Sequence, residues 1–428
     1  MLLQYSCKNF RSIKDKITFS MRKTAGESSP HRAMKFNGVD IESISVIYGA
    51  NGSGKSNFIS SIEFVKYMVE MSITFQPGQA INIFPHKLSD TNEPATFSIQ
   101  FTSGGIRYAY GFSVLNNKVD EEYLYYFPKM RQVKVFERKG LEVTAGSQYR
   151  QSFGVTMEVL QENRLFLSCA ANYSRVEAVR EAFIFFSKGL VIYRVNVDEP
   201  RMNNWYEYTV SLMERKPVVK AKFLKILNFL GTGIVDVKSE QKVFSAEEIA
   251  EQVPSPFKEL ILTPEVKKSG WHELKAKVVY PEFETDLLTE EGTGIQKLFQ
   301  MICPLLDILE NGKVMFCDEI ETGLHEAVVR QIIELFYYLE PESEAQLIFS
   351  THDTGLLSRK LFSRGQIWFT ELTQGRSTDL YSLAEVRNVR QEENVERGYL
   401  QGRYGAVPML NREILKILMD RKNMQFMQ

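Results

Sequence analysis

Eight consecutive residues, Gly49-Ala50-Asn51-Gly52-Ser53-Gly54-Lys55-Ser56, satisfy the spacing G-x-x-x-x-G-K-[ST]. Glycines in such a loop let backbone N–H groups wrap a phosphate, the lysine reaches β and γ oxygens, and the hydroxyl that follows is a magnesium ligand. Gly49, Asn51, Gly52, Ser53, Gly54, Lys55, Ser56 and Asn57 are therefore expected to bind a nucleotide. Lys55 also enters the catalytic set, and Ser56 the metal set. A phosphoryl-transfer site further needs carboxylates at the end of a buried strand. Val314-Met315-Phe316-Cys317 is an apolar run of that kind, and Asp318-Glu319 follows it directly. Asp318 is expected in the magnesium shell, and Glu319 where it can polarise an attacking water. A third run, Gln346-Leu347-Ile348-Phe349, ends in Ser350-Thr351-His352-Asp353. That puts His352, one of five histidines, at a strand's C-terminal end, where open α/β sheets place ligand-contacting groups. An imidazole there would donate to a γ-phosphate or sense its loss.

These groups need elements to hold them. Ile44, Val46, Ile47 and Tyr48 form a β-prone run before the loop, and Phe58, Ile59, Ile62, Val65, Met68 and Val69 recur at helical spacing after it. Strand, loop, helix is the context the motif requires. Val328, Val329, Ile332, Ile333, Phe336 and Leu339 describe an amphipathic helix between the two later strands. The long separation of Lys55 from Asp318 implies an insertion. From about Pro94 to Glu137 alternating residues (Phe97, Ile99, Phe101; Tyr108, Tyr110, Phe112; Tyr123, Tyr125, Phe127) predict antiparallel strands. From Met157 to about Leu230 the pattern is helical without sustained heptads, which argues against a long coiled coil. Strands resume near Ile234–Val237 and Leu274–Val279. Two further signals have plain readings. Asn117-Lys118-Val119-Asp120 fits a guanine-reading pattern but lies between alternating aromatic strands and is expected to be a hairpin turn. Lys129, Arg131, Lys134, Arg138 and Lys139 are expected to be a solvated strand face, the other reading being a phosphate-backbone track.

Composition narrows the class. The chain has 428 residues, 44% hydrophobic and 25% charged, which excludes wholesale disorder. Its formal charge of -1 leaves no global attraction to nucleic acid or anionic membrane, so such binding needs a local patch. Cys7, Cys169, Cys303 and Cys317 make no C-x-x-C pair, and a reduced cytosol fits them. Met1 to Arg11 lacks a signal-peptide core, and the apolar stretch near Met301–Leu309 is half a membrane span, so a cytoplasmic protein without a membrane partner is expected.

Several segments together resemble a known family: Asn9-Phe10-Arg11-Ser12 with Ile17-Thr18-Phe19, the loop Gly49 to Ser56, the run from Cys317 to His325, Ser350-Thr351-His352, and Tyr399 to Pro408. They resemble ABC-type ATPases of the RecF/Rad50/SMC-like head class. Within that class the chain is similar to stand-alone bacterial AAA-type ATP-binding proteins of the phage-defence kind, related to the OLD-family ATPase domain. The resemblance implies an α/β fold, an ABC-type ATPase head with an antiparallel β-lobe and a helical insertion. It divides the chain into residues 1–140 (N-terminal lobe), 141–235 (mainly helical insert) and 236–428 (C-terminal lobe). It implies ATP and Mg2+ as cofactors, and a nucleotide held by the loop of one subunit and capped by a signature segment of another.

The matching segment is Glu290-Glu291-Gly292-Thr293, with Gly292 and Thr293 at the nucleotide. The superfamily usually has Ser where this chain has Glu290, and a carboxylate beside phosphate is repulsive unless turned away. One copy of each motif implies a homodimer or higher oligomer. The larger OLD-type enzymes carry a nuclease at the C-terminal end. The residues after His352 show no D-x-D or H-x-x-x-H, so a nuclease or toxin effector is expected on a separate chain. The implied function is an ATP-driven dimerisation switch in antiviral defence. The rivals are a RecF-like DNA-binding repair ATPase, a nucleotide-gated scaffold with little turnover and, third, a GTPase. Tyr399, Arg403 and Tyr404 fit either a docking surface or a buried C-terminal lobe.

Overall fold

A computed structural model of the chain describes residues 1–27, 31, 33–194, 204–244, 271–338, 343–390 and 393–407. Leu339 and Pro408 lie outside the described residues. In chain order the elements are β1 (Leu2–Lys8), β2 (Ile17–Ser20), β3 (Met34–Phe36), β4 (Val39–Ile41), β5 (Ile44–Gly49), α1 (Lys55–Met71), β6 (Ala95–Ser103), β7 (Ile106–Leu115), β8 (Lys118–Tyr126), β9 (Val133–Lys139) and β10 (Glu142–Ala145). The helices α2 (Gly154–Val159), α3 (Phe166–Tyr173) and α4 (Glu177–Ile184) follow, then β11 (Leu190–Tyr193), α5 (Asn204–Arg215) and α6 (Pro217–Phe229). The C-terminal part comprises β12 (Asp236–Phe244), β13 (Trp271–Val279), β14 (Glu284–Asp286), α7 (Thr293–Asn311), β15 (Val314–Cys317), α8 (Glu326–Tyr337), β16 (Gln346–Ser350), β17 (Ile367–Leu372), β18 (Thr378–Ser382) and α9 (Val395–Leu400).

Two compact units result. The first comprises residues 1–192, 314–319 and 346–428, and the second residues 193–313 and 320–345. In the first unit one sheet has the order β10-β9-β8-β7-β6-β1-β2 and is antiparallel, and the other has the order β11-β15-β16-β5-β17-β18. In the second sheet β15, β16, β5 and β17 run parallel, and β18 closes the edge antiparallel. The expected α/β architecture with an antiparallel lobe is present.

Helix α1 lies between the two sheets. Its Phe58 ring faces Phe316 of β15, while Phe64 packs on Phe97 and Phe112 of the antiparallel sheet. Phe58, Ile59, Ile62, Val65, Met68 and Val69 are all buried, as the helical spacing predicts. Each such side chain contributes about 1.5–3 kcal/mol of transfer free energy, so this helix, and the loop at its start, is anchored by the core. The alternation along β6 and β7 likewise buries Phe97, Ile99, Phe101, Tyr108, Tyr110 and Phe112.

The β7–β8 connection is the predicted hairpin. Leu115 pairs with Lys118 across Asn116 (φ 51) and Asn117 (φ 61). Two left-handed central residues make the turn type whose twist matches the flanking strands, and asparagine tolerates that conformation. The basic run reads differently from either expectation at one residue. Arg138 is fully buried, bonds Glu122 at 3.3 Å, and donates to the Gly140 (2.6 Å), Gln161 (3.0 Å) and Arg164 carbonyls. Glu122 in turn accepts from Tyr110 Oη and from the Phe166 and Leu167 N–H groups at the start of α3. Burial pushes the Glu122 carboxyl up, and Arg138 and the two amides oppose that. Arg138 ties the antiparallel sheet to α3 and offers nothing to solvent.

The second unit pairs β12 with β13 and β13 with β14, all antiparallel. Its core joins Tyr206, Val210 and Phe223 from α5 and α6 to Val278 on β13 and to Phe299 and Ile302 on α7. Tyr206 Oη accepts the Ala276 N–H at 2.7 Å. No helix among the described residues is long and apolar enough to cross a membrane. All four cysteines are free and buried.

Candidate nucleotide site

The parallel register sets the site. Cys317 pairs with Phe349, Phe349 with Val46, and Thr370 with Gly49. The acidic pair, the Ser350–His352 segment and the phosphate loop therefore leave the same edge of one sheet on neighbouring strands. Asp318 and the loop strand β5 are two strand spacings apart, about 9.5 Å.

The loop is built around Gly54 and Gly49. Gly54 has φ 111, and a Cβ there would sit 2.1 Å from Thr378 Oγ1. At Gly49 a Cβ would meet Thr370 Oγ1 at 2.3 Å and the Thr370 carbonyl at 2.5 Å. Only glycine fits either place, so the loop lies flat on β17 and β18. Ser53 Oγ bonds Thr370 Oγ1 at 2.6 Å, and Thr378 Oγ1 donates to the Ser53 carbonyl at 2.9 Å. Lys55 is buried, and its ammonium donates to the Gly49 (2.8 Å) and Ala50 (3.2 Å) carbonyls that bound the loop. Asn51, Gly52 and Ser56 are exposed. The Asn57 side chain is engaged elsewhere, donating to Ser12 Oγ at 2.8 Å.

Across the edge, one hydroxyl joins the two acids. Ser350 Oγ donates to Asp318 Oδ1 at 2.6 Å and accepts the Glu319 N–H at 2.8 Å. Glu319 is left-handed, with φ 49. That conformation is uncommon for a non-glycine residue and persists only where neighbours enforce it, as happens at functional sites. Thr351 is buried, its N–H donating to the Ile47 carbonyl at 3.2 Å, and His352 beyond it is exposed. The structure thus brings Lys55, Ser56, Asp318, Glu319 and His352 to one sheet edge within one unit.

The signature-like segment belongs to the second unit. Gly292 caps α7 and Thr293 begins it. Glu290 is turned back onto the chain, accepting the Asp286 N–H at 2.6 Å, and Glu291 accepts from Tyr280 Oη at 3.0 Å and from Thr285 Oγ1. Of the two cases for a carboxylate at 290, this bond is the turned-back one. Within this unit the buried Lys297 donates to the carbonyl of Ile320, the residue after Glu319, at 2.9 Å.

The donor set suits a hard cation. A serine hydroxyl in the first turn of α1 and one carboxylate leave the remaining positions to waters and nucleotide oxygens, the usual arrangement for magnesium. No group of three or more His, Cys, Asp or Glu that could cage a metal occurs among the described residues.

Ser12, Thr370 and Thr378 carry no motif signal that marks them as site residues, and Ser350 stands out in the sequence only as a neighbour of His352. Ser12 Oγ bonds Thr378 Oγ1 at 2.8 Å, so a residue near the N-terminus clasps the loop's support. Tyr399 and Tyr404 are buried, stacking on Phe369 of β17, and Tyr399 also meets Tyr48, the residue before the phosphate loop. Arg403 is half-exposed and paired with Glu393. Tyr399 and Tyr404 thus fit the buried lobe, while Arg403 is at the surface.

A profile of the family described as "AAA domain, putative AbiEii toxin, Type IV TA system" matches residues 44–145 and 245–358, which contain the loop, the acidic pair and His352. Among solved structures, an SMC head bound to the C-terminal winged-helix domain of ScpA is similar at 15% identity, over 89% of this chain and 97% of that chain, with a TM-score of 0.43. The SMC head domain from Thermotoga maritima is similar at 12% identity, over 89% of this chain and 98% of that one, with a TM-score of 0.39. An Smc head with an extended coiled coil bound to the C-terminal domain of ScpA, derived from Pyrococcus furiosus, gives 12% identity, 89% and 96% coverage, and a TM-score of 0.39. No curated protein matches the chain.

Proposed function

Since the chain belongs to the family of AAA domains described as putative AbiEii toxin of type IV toxin–antitoxin systems, we propose that it is a magnesium-dependent ATPase whose nucleotide cycle joins and separates two copies. The observation that carries this reading is the Ser350 hydroxyl bridging Asp318 and Glu319 on the strand next to the phosphate-loop strand. Magnesium, when bound, neutralises charge on the β and γ oxygens. Lys55 holds a buried positive charge at the loop, and Ser56 with Asp318 would hold the ion. Glu319, fixed at its N–H by Ser350, would take the proton of the attacking water, and His352 would donate to the γ-phosphate. Gly292 and Thr293, at an α-helix N-terminus, would cap the nucleotide of a second copy. By this reading the dimer controls a separately encoded nuclease or toxin in antiviral defence.

The test is steady-state phosphate release together with nucleotide retention. Lys55→Ala is expected to abolish both, and Glu319→Gln to lower turnover at least 100-fold while retaining ATP. A Glu319→Gln protein that turns over at the wild-type rate contradicts the catalytic assignment. The family description also favours a second reading, in which this chain is itself the toxic half of a pair. Growth arrest on expressing the chain alone, lost in Lys55→Ala, would favour it over control of a separate effector.

A further inference from the structure

Where the β7–β8 and β9–β10 turns come together at one end of the antiparallel sheet, a cavity of about 390 Å³ opens. Its other walls are the turn at residues 77–79 and the segment joining α2 to α3. The phosphate loop precedes α1 and this turn follows it, so 17 residues of helix, about 25 Å, lie between the two places. Small-molecule pockets span about 300–1,000 Å³, whereas one water takes a share of about 30 Å³.

Hydrogen bonds hold the walls in place. Asn163 Nδ2 donates to the Gln76 and Gln79 carbonyls at 2.8 and 2.9 Å, the Val119 N–H donates to the Glu162 carbonyl at 2.7 Å, and Arg138 fixes the Gln161 carbonyl. Two acceptors are left over. Gln161 Oε1 and Asn163 Oδ1, on residues that line the cavity, are buried and have no hydrogen-bond partner among the described residues. Asn163 is 3% exposed, and its amide cannot turn round, since that would set its oxygen against the two carbonyls that Nδ2 serves. Buried acceptors are almost always paired, so two unpaired ones, two residues apart, mark where a donor belongs.

The chemistry of that donor is narrow. A phosphate or carboxylate brings only acceptors, and an amide or hydroxyl brings an acceptor of its own, for which the committed Asn163 Nδ2 offers nothing. A guanidinium has five donors in a planar fork and no acceptor, and it is more weakly hydrated than an ammonium, so it costs less to move inside. Leu141, 54% exposed, and the half-buried Leu160 give the same cavity apolar surface. Glu162 and Lys118, paired at 2.9 Å and both half-exposed, add one charge of each sign.

We propose that this cavity binds a guanidinium group on an aliphatic stem, its N–H groups donating to Gln161 Oε1 and Asn163 Oδ1 and its stem lying on Leu141 and Leu160. A free guanidino compound and the arginine side chain of a peptide share this chemistry, and the test separates them. The proposal does not depend on the nucleotide reading.

Calorimetric titration of the full chain with n-butylguanidinium, and with arginine blocked as its N-acetyl methylamide, tests this. Saturable binding of both to wild type is expected, weakened about ten-fold in Gln161→Met and strengthened in Gln161→Glu, which puts a charge on the same acceptor. Misfolding cannot produce that gain. Tighter binding of the blocked arginine assigns the site to a peptide, and tighter binding of n-butylguanidinium to a free guanidino compound. No saturable binding of either probe to wild type, or affinities that both variants leave unchanged, overturns the proposal. So does n-butylammonium binding as tightly as n-butylguanidinium.

Discussion

Ser350 serves both acids through a single oxygen, and its own substitution isolates that role. Ser350→Ala removes the hydroxyl that donates to Asp318 and accepts the Glu319 N–H, while touching neither carboxylate. Groups that orient metal or water ligands from behind are typically worth 10- to 100-fold. We expect turnover in Ser350→Ala to fall by that factor, with ATP affinity changed less, in a phosphate-release assay over a range of ATP concentrations. A second residue prediction concerns stability. Burial pushes the Glu42 carboxyl up to about 7, although the Ser363 hydroxyl, at 3.2 Å, opposes the shift. A carboxyl raised in the fold above its unfolded value of 4.5 binds its proton more tightly when folded. It therefore contributes stability fully below about 4.5, and that contribution is lost as pH rises through about 7. Glu42→Gln should flatten the pH dependence of the denaturation midpoint across this window and be the more stable protein at pH 8, by on the order of 3 kcal/mol. A midpoint for wild type that does not fall between pH 5 and pH 8 would contradict the assignment.

At the level of elements, β5, α1, β15 and β16 were legible because each is a contiguous run whose periodicity is settled by its own residues. The hairpin at Asn116-Asn117 was legible for the same reason. What supports them was not. Thr370 and Thr378 lie more than 300 residues from the loop they hold, and β1 pairs with β6 although β2 to β5 and α1 lie between them in the chain. No local pattern encodes such a pairing. Arg138 shows the limit most clearly, since a basic residue in a basic run reads as solvated, and only the fold reveals Glu122 and α3 around it. Breaking a buried pair by removing one partner costs about 3–5 kcal/mol. Arg138→Met should lower the urea midpoint accordingly, while the double variant Arg138→Met with Glu122→Leu recovers part of the loss. A single variant as stable as wild type would contradict the tie between sheet and helix.

On the scale of the whole molecule, the chain carries one phosphate loop, one acidic pair and one signature-like helix start, with the first two in one compact unit and the third in the other. If nucleotide is capped between two copies, the oligomeric state must follow the nucleotide. Glu290 is bonded to the Asp286 N–H, and Gly292 and Thr293 at the start of α7 are exposed. The direct measurement is the light-scattering mass of the Glu319→Gln protein with and without ATP and magnesium. The account predicts a mass near that of one chain, 49.4 kDa, without nucleotide, and a doubling with it that Lys55→Ala abolishes. A mass that is the same in both conditions, with ATP shown to be bound, contradicts the proposed switch.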